Sequence, residues 1–156
     1  MLFKTHVIIS LFGGLLLMSY FNNSFLFLGM VLISTLIPDL DSFNSKIGKR
    51  FSSRVLTSFT KHRGIMHSLL FLIIIYLLLY FYFQILSFGF LIGYSVHLFC
   101  DLITKQGLRL FYPLKFKISG FIKTGGKMEG FLFLIFGIAD LFLLIMKVTY
   151  FCFFFN

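Results

Sequence analysis

Residues 131–155 read FLFLIFGIADLFLLIMKVTYFCFFF, and this apolar stretch decides the fold class. A helix that spans a membrane needs about 20 predominantly apolar residues, and this stretch meets that length with only two charged side chains, Asp140 and Lys147. Four further apolar stretches precede it, at residues 7–21, 25–37, 65–86 and 88–103. The third of these four is long enough to span, whereas the first two suit tilted or partly inserted helices. The pattern predicts an all-α, polytopic membrane bundle of about five spans.

The composition requires a membrane setting for the whole chain. Of 156 residues, 59% are hydrophobic and 12% are charged, and the mean hydropathy is +0.99. A soluble domain of this length could not cover so many apolar side chains, because its surface must be largely polar or charged. We interpret residues 1–156 as one membrane-embedded domain. Residues 1–24 could also be a signal peptide, but residues 18–24 lack the small residues of a cleavage site, so we expect them to be retained.

The basic side chains predict the orientation. Residues 39–64 and residues 105–128 each hold six of the 14 Lys and Arg residues, and Lys4 lies at the N-terminus. Since cytoplasmic loops carry an excess of Lys and Arg, we expect these segments and the N-terminus on the cytoplasmic side. The uncharged turns at 22–24 and 87–89 then lie outside. This arrangement is typical of a multi-pass protein of the inner or plasma membrane.

The same orientation gathers the acidic residues and histidines at one membrane face. Of the nine such residues, eight fall at the cytoplasmic ends of the predicted spans: His6, Asp39, Asp41, His62, His67, His97, Asp101 and Glu129. Ionisable groups at a bilayer are costly and usually face the bundle interior or a wet cavity. Crowded carboxylates need a cation to neutralise them. The convergence therefore predicts a metal site. The ninth residue, Asp140, lies about three helical turns into the fifth span.

Each polar residue taken alone also has a simpler interpretation. Asp39 and Asp41 could merely end a helix after Pro38, and the His97-x-x-x-Asp101 pair could be an intrahelical contact between residues on one helical face. Glu129 could favour a helix N-terminus because of the helix dipole. Convergence of four helix ends and the N-terminus favours the metal site over these alternatives. Mixed nitrogen and oxygen ligands suit a divalent metal such as zinc, which we favour, or manganese or iron.

Several motifs appear in order along the chain: His6, Ile37-Pro38-Asp39-Leu40-Asp41, His62-Arg63-Gly64-x-x-His67-Ser68, Gly93-Tyr94-x-x-His97-x-x-x-Asp101 and Tyr112-Pro113. Together they resemble the YdjM-type family of membrane-bound metal-dependent hydrolases. More distantly, the arrangement is similar to the zinc-dependent phospholipase C and P1 nuclease group. Two positions depart from the family pattern. Ser42 stands where members often carry His, which removes one potential ligand, and Met66 stands where they usually carry Thr.

The resemblance implies hydrolysis by metal-activated water, and we expect a phosphoester substrate, with a phospholipid as a candidate. The expected metal ligands are His6, Asp39, His67, His97 and Asp101. Asp41 is expected to bridge metals, orient a ligand or act as general base. His62 is expected to be a further ligand or to donate a proton to the leaving group, and Arg63 to grip phosphate oxygens.

Two other functions are open to the same sequence. The chain could be a non-catalytic, metal-stabilised membrane scaffold or an ion carrier, although a carrier should hold its ligands near the bilayer midplane, where only Asp140 lies. The basic segments could bind nucleic acid, but membrane topology already explains them, so no nucleic-acid partner is expected. We expect the lipid bilayer to be the partner, and the basic segments to favour anionic phospholipid at the cytoplasmic face.

Overall fold

The computed structural model describes residues 1–39 and 65–155, and this part of the chain folds into five α-helices without a β-strand. The helices are α1 (Phe3–Leu17), α2 (Ser24–Leu36), α3 (Leu69–Tyr82), α4 (Gln84–Leu102) and α5 (Lys127–Phe155). Short 3-10 turns, Met18–Tyr20 and Ile37–Asp39, follow α1 and α2. The predicted all-α class is confirmed.

Three helical stretches are long and apolar enough to cross a membrane: Phe3–Tyr20, Gln84–Leu102 and Lys127–Tyr150. Two shorter apolar helices, Ser24–Asp39 and Leu69–Tyr82, accompany them. Helix α3 has 14 residues, which is about 21 Å of helix against a hydrocarbon core of about 30 Å. The stretch at 65–86 is therefore shorter as a helix than its apolar sequence predicts. The number of spans and the side of the N-terminus stay predictions.

The turn between α3 and α4 lies at Phe83, and the predicted turn at 87–89 is wrong. Phe83 leaves the helical region with φ −145° and ψ 64°, whereas Ser87 and Gly89 lie inside α4. Helix α4 packs closely against α2 at Gly89, where a Cβ atom would lie only 2.9 Å from the Phe27 carbonyl oxygen. The glycine thus permits close helix packing rather than a turn.

Helix α4 is the centre of the bundle and packs against α1, α2 and α3. Its contact with α2 is the tightest, because a Cβ atom on Gly93 would collide with the Val31 carbonyl and the Ser34 hydroxyl. Gly14 likewise allows α1 to approach Leu28 of α2. Close approach of the helices therefore depends on the glycines at positions 93 and 14. At Gly13 and Gly137, added Cβ atoms would meet only side chains at 4.0 and 3.9 Å.

Residues 103–126, here the α4–α5 loop, connect two of the helices that are long and apolar enough to span. Leu108 and Ile118 exchange backbone hydrogen bonds of 2.9 and 3.0 Å across the loop. The Leu110 carbonyl accepts a 2.8 Å hydrogen bond from the Leu69 N–H at the start of α3. The loop is thereby attached to the same end of the bundle as the first turn of α3.

Candidate metal centre

The five predicted ligands lie together at one end of the bundle, although they come from four separate places in the sequence. His6 lies in the first turn of α1, Asp39 ends the turn after α2, and His67 stands just before the N-cap of α3. His97 and Asp101 lie in the last turns of α4. The three histidines are at most 2% exposed, and Asp101 is 9% exposed. The ends of four helices thus bring these side chains into one buried cluster.

The two carboxylates lie between the three imidazoles. Asp101 Oδ1 is 3.3 Å from His6 Nε2, and Asp101 Oδ2 is 3.8 Å from the Nε2 atoms of His67 and His97. Asp39 Oδ1 is 3.9 Å from the same two Nε2 atoms. Two overlapping groups, His6–Asp39–His97 and His67–His97–Asp101, each keep their donor atoms within 4.8 Å of one another.

His97 is oriented so that its Nε2 lone pair faces the carboxylates. Its Nδ1 lies 2.8 Å from the Thr35 carbonyl oxygen. Because a carbonyl can only accept, Nδ1 must carry the proton and donate it, which leaves Nε2 unprotonated in the neutral ring. This pairing of a metal-binding imidazole with a backbone carbonyl is common at metal sites. Nε2 is buried and has no hydrogen-bond partner within residues 1–39 and 65–155.

The donor set fits a divalent transition metal. The spacing of 3.8 to 3.9 Å between His67, His97, Asp39 and Asp101 donor atoms compares with roughly 3.4 Å for tetrahedral ligands at about 2.0–2.2 Å from zinc. A shift of a few tenths of an ångström for each atom would close the difference. An imidazole acceptor buried without a partner is otherwise costly. The His97 Nε2 atom and its surroundings are therefore what a metal ligand requires.

Asp39 lies beyond α2, and its electrostatic surroundings also favour a cation. Burial raises the pKa of its carboxyl group, the nearby His6 and His67 lower it, and the charge of Asp101 raises it further. Two carboxylates held this close to one another repel when both are ionised. A divalent cation would allow Asp39 and Asp101 to stay ionised together.

Hydrogen bonds fix the residues on both sides of His67. Ser68 is the N-cap of α3, and its Oγ accepts a 3.2 Å hydrogen bond from the Phe71 N–H. Its hydroxyl also donates to the Ile65 carbonyl at 2.6 Å. On the other side of His67, the Tyr94 hydroxyl of α4 donates to the Met66 carbonyl. Residues on both flanks of His67 are therefore anchored.

Glu129 holds the N-terminal residues against α5 instead of joining the donor groups. Its Oε1 accepts from the Leu2 N–H at 2.5 Å, and its Oε2 accepts from the Gly125 N–H at 2.6 Å. The Met1 amine lies 2.7 Å from Asp101 Oδ1. Glu129 thus positions the start of α1, which carries His6.

The sequence prediction missed Thr35, and it gave Glu129 only the position at a helix N-terminus, where the structure places it in the first turn of α5. Thr35 orients His97 through its backbone carbonyl. Every residue has such a carbonyl, so the identity of the side chain gave no indication of this role. Glu129 showed a weak signal as an acidic residue at the start of an apolar stretch. Asp140 is buried in α5, outside both donor groups, and its carboxylate oxygens have no hydrogen-bond partner in the described residues. The predicted catalytic residues Asp41, His62 and Arg63 lie outside the described residues and stay predictions.

A comparison with protein families gives a match over nearly the whole chain. Residues 1–155 match the family model described as YdjM inner membrane protein. The chain belongs to this family. The resemblance predicted from the motifs is confirmed at the level of the YdjM family, and the distant similarity to the phospholipase C and P1 nuclease group stays a prediction. Membership in an inner membrane protein family, together with the apolar helices, supports a bilayer setting for this YdjM-family chain.

Known relatives add little about activity. The chain is 35% identical over 103 residues to the uncharacterized protein YvsG of Bacillus subtilis (strain 168). The aligned part covers 62% of this chain and 64% of the relative. No solved structure gives a significant match.

Proposed function

We propose that this YdjM-family protein is a membrane-bound, metal-dependent hydrolase whose metal ligands are His6, Asp39, His67, His97 and Asp101. The observation that carries the proposal is the buried Nε2 atom of His97. It faces two carboxylates, while the Thr35 carbonyl holds the opposite ring nitrogen in its protonated form. A histidine that served only packing would not need this orientation.

The proposed chemistry divides between the metal and the chain. A divalent ion held by these residues would supply a nucleophilic water at neutral pH, because it would lower the pKa of that water to about 7, and it would polarise the scissile group. Thr35 keeps the His97 lone pair directed at the cluster, and Glu129 keeps His6 beside Asp101. Asp41 is proposed as the general base and His62 as the proton donor to the leaving group. Arg63 would grip phosphate oxygens with its planar guanidinium.

A phosphoester in a lipid head group is the substrate class that fits the location. His6 and Glu129 lie near the beginnings of the stretches Phe3–Tyr20 and Lys127–Tyr150, and Asp101 lies near the end of Gln84–Leu102. The cluster is therefore at the level where spanning helices leave the apolar core, which is where lipid head groups lie. The excess of basic residues in the adjoining segments supports a cytoplasmic orientation.

The first test is metal content. The protein would be purified in detergent from cells supplied with zinc, manganese and iron, and its metal would be measured by elemental mass spectrometry. We expect the wild type to retain metal, Asp101→Asn and His97→Ala to lose most of it, and Asp140→Asn to retain the wild-type amount. Asp140→Asn is the matched control because it also neutralises a buried carboxylate but outside the donor groups. A metal-free wild type, or undiminished metal in Asp101→Asn, would overturn the proposed site.

The second test is turnover. The metal-loaded protein would be assayed against phospholipids and soluble phosphomonoesters and phosphodiesters. We expect hydrolysis that is lost in His97→Ala and restored in the wild type by returning metal after chelation. Activity that survives both His97→Ala and Asp101→Asn would remove these residues from the reaction.

A non-catalytic scaffold is the second candidate, and one observation favours it. The five proposed ligands come from the ends of four helices, so one or more bound ions would hold α1, α2, α3 and α4 together. The same ligands lie at one end of the bundle and not at mid-depth, which disfavours an ion carrier. Tightly bound metal without turnover on any ester would support the scaffold.

A further inference from the structure

The α4–α5 loop exposes large apolar side chains although it lies outside the helices. The exposed fractions are 46% for Phe111, 64% for Leu114, 65% for Phe116 and 71% for Phe121. The same loop carries five basic residues and no acidic residue; the basic ones are Lys105, Arg109, Lys115, Lys117 and Lys123. Apolar and basic side chains next to each other are typical of segments that lie in the membrane interface.

Buried residues on both sides of the exposed part of the loop hold it in place. Leu108 and Ile122 are each 4% exposed, and both lie in backbone pairs that cross the loop. The Lys105 N–H donates to the Ile122 carbonyl at 2.8 Å, and the Gly120 N–H donates to the Thr104 carbonyl at 2.9 Å. The buried anchors therefore hold the residues between them at the surface.

Apolar and basic residues alternate along residues 114–117, which read Leu-Lys-Phe-Lys. Leu114 lies in a bend, and 115–117 form neither helix nor turn before the backbone pairs at Ile118. Where such a segment runs extended, successive side chains point to opposite sides. The alternation therefore favours a loop with Phe116 on one side and Lys115 and Lys117 on the other.

The location of the loop determines what can cover this surface. The loop joins two stretches that are long and apolar enough to span, leaving one at Leu102 and entering the next at Lys127, and spanning would put both of its ends at the bilayer surface. Its Leu110 carbonyl accepts a hydrogen bond from the first N–H of α3, two residues after His67. The loop therefore contacts the segment that follows one of the proposed metal ligands.

We propose that the α4–α5 loop is a docking surface for anionic phospholipid. Leu114, Phe116 and Phe121 enter the apolar part of the interface, and Lys115 and Lys117 bind the phosphate groups above it. Charge complementarity supports an anionic head group, because the loop contains five basic side chains and no acidic one. The docking does not require that the metal cluster be catalytic.

The absence of tryptophan from the sequence makes a direct test possible. Phe116→Trp would be placed in lipid nanodiscs of phosphatidylglycerol and phosphatidylcholine in which one lipid at a time carries brominated acyl chains that quench nearby tryptophan. Lys117→Trp is the matched control, since it is adjacent in sequence and is proposed to face the phosphate groups and not the acyl chains. Phe121→Trp provides an independent probe should either variant misfold. Helical content and gel-filtration profile would verify the fold of each variant.

We expect Phe116→Trp and Phe121→Trp to lose most of their emission to brominated lipid, with maxima shifted to shorter wavelength, and Lys117→Trp to lose little. In mixed discs, brominated phosphatidylglycerol should quench more strongly than brominated phosphatidylcholine. That preference should vanish when Lys115→Gln and Lys117→Gln are added to Phe116→Trp, and should weaken in 1 M salt, where the screening length is about 3 Å.

Three results would overturn the proposal. Equal quenching at positions 116 and 117 would contradict the two-sided loop. Equal quenching by the two lipids would contradict the anionic preference. If brominated lipid does not quench the tryptophan emission of Phe116→Trp and Phe121→Trp, then water, a second copy or another protein covers the surface. None of these readouts depends on turnover, so the test is independent of the proposed hydrolase activity.

Discussion

Replacing Gly93 by alanine should weaken metal binding at the proposed site, although Gly93 has no side chain that could bind a metal. The new Cβ atom would collide with the Val31 carbonyl of α2, and it would lie 2.8 Å from the Val31 carbonyl carbon. Because backbone atoms cannot rotate away, α2 must shift as a unit. That shift would carry the Thr35 carbonyl away from His97 Nδ1, since Thr35 is one turn further along α2.

The size of the effect follows from these contacts. Overpacking of this kind costs roughly 3 kcal/mol at the upper end of its usual range, and the Thr35 hydroxyl keeps its 2.8 Å hydrogen bond to the Val31 carbonyl of the same helix. Alanine regains about 1 kcal/mol of helix propensity. The net loss is about 2 kcal/mol. Losing the partner of a ligand histidine typically lowers metal affinity about 10- to 100-fold.

The assay combines thermal unfolding in nanodiscs with chelator competition for metal. Gly29→Ala is the matched control, because Gly29 lies in α2 and a Cβ atom there meets nothing within 4 Å. We expect Gly29→Ala to be neutral or to stabilise the protein by about 1 kcal/mol. Wild-type metal affinity in Gly93→Ala would refute the positioning argument, and equal destabilisation by the two substitutions would refute the packing argument.

Four further predictions concern neighbouring parts of the molecule. Tyr94→Phe removes the hydroxyl that donates to the Met66 carbonyl, so metal affinity should fall about tenfold. In a double-mutant cycle, adding Tyr94→Phe to His67→Ala should lower the metal affinity no further. Glu129→Gln should cost about 1–3 kcal/mol in thermal stability because its amide can no longer accept from both the Leu2 and Gly125 N–H groups, and unchanged stability would contradict this. Asp140→Leu should raise the free energy of unfolding by about 1–3 kcal/mol because it removes a buried polar group with no partner in the described residues; a fall would show that Asp140 binds something there. Removing metal with a chelator should lower the free energy of unfolding by about 2.7 kcal/mol if the free ion had been at 100 times its dissociation constant, and His97→Ala should be insensitive to the same chelator.

The sequence predicted the cluster better than it predicted the helix boundaries. Charge and hydropathy are properties of long segments, so they placed His6, Asp39, His67, His97 and Asp101 at the same level before any contact was known. The turn between α3 and α4 was misplaced, because glycine near a serine indicates either a turn or a close helix contact. Only the presence of α2 against Gly89 decides between those two meanings.

The contacts that orient the cluster are mostly invisible in a single sequence because backbone groups make them. The carbonyls of Thr35 and Met66 receive hydrogen bonds from His97 and Tyr94, and the N–H groups of Leu2 and Gly125 bind Glu129. A pattern of side chains can show which residues are able to bind a metal. It cannot show which carbonyl will be in place to orient them.

Two neighbouring residues of α4 illustrate how the short motif becomes a site. Gly93 lets α2 approach, which brings the Thr35 carbonyl to His97, and Tyr94 reaches in another direction to hold the segment that carries His67. His97 and Asp101 follow at one-turn intervals on the same helix. The Gly-Tyr pair therefore helps to position His97 of α4 and His67, just before α3, around the carboxylate of Asp101. The spacing of the Gly93–Asp101 motif therefore follows from the geometry of α4. The segments that carry the other proposed ligands pack against this helix.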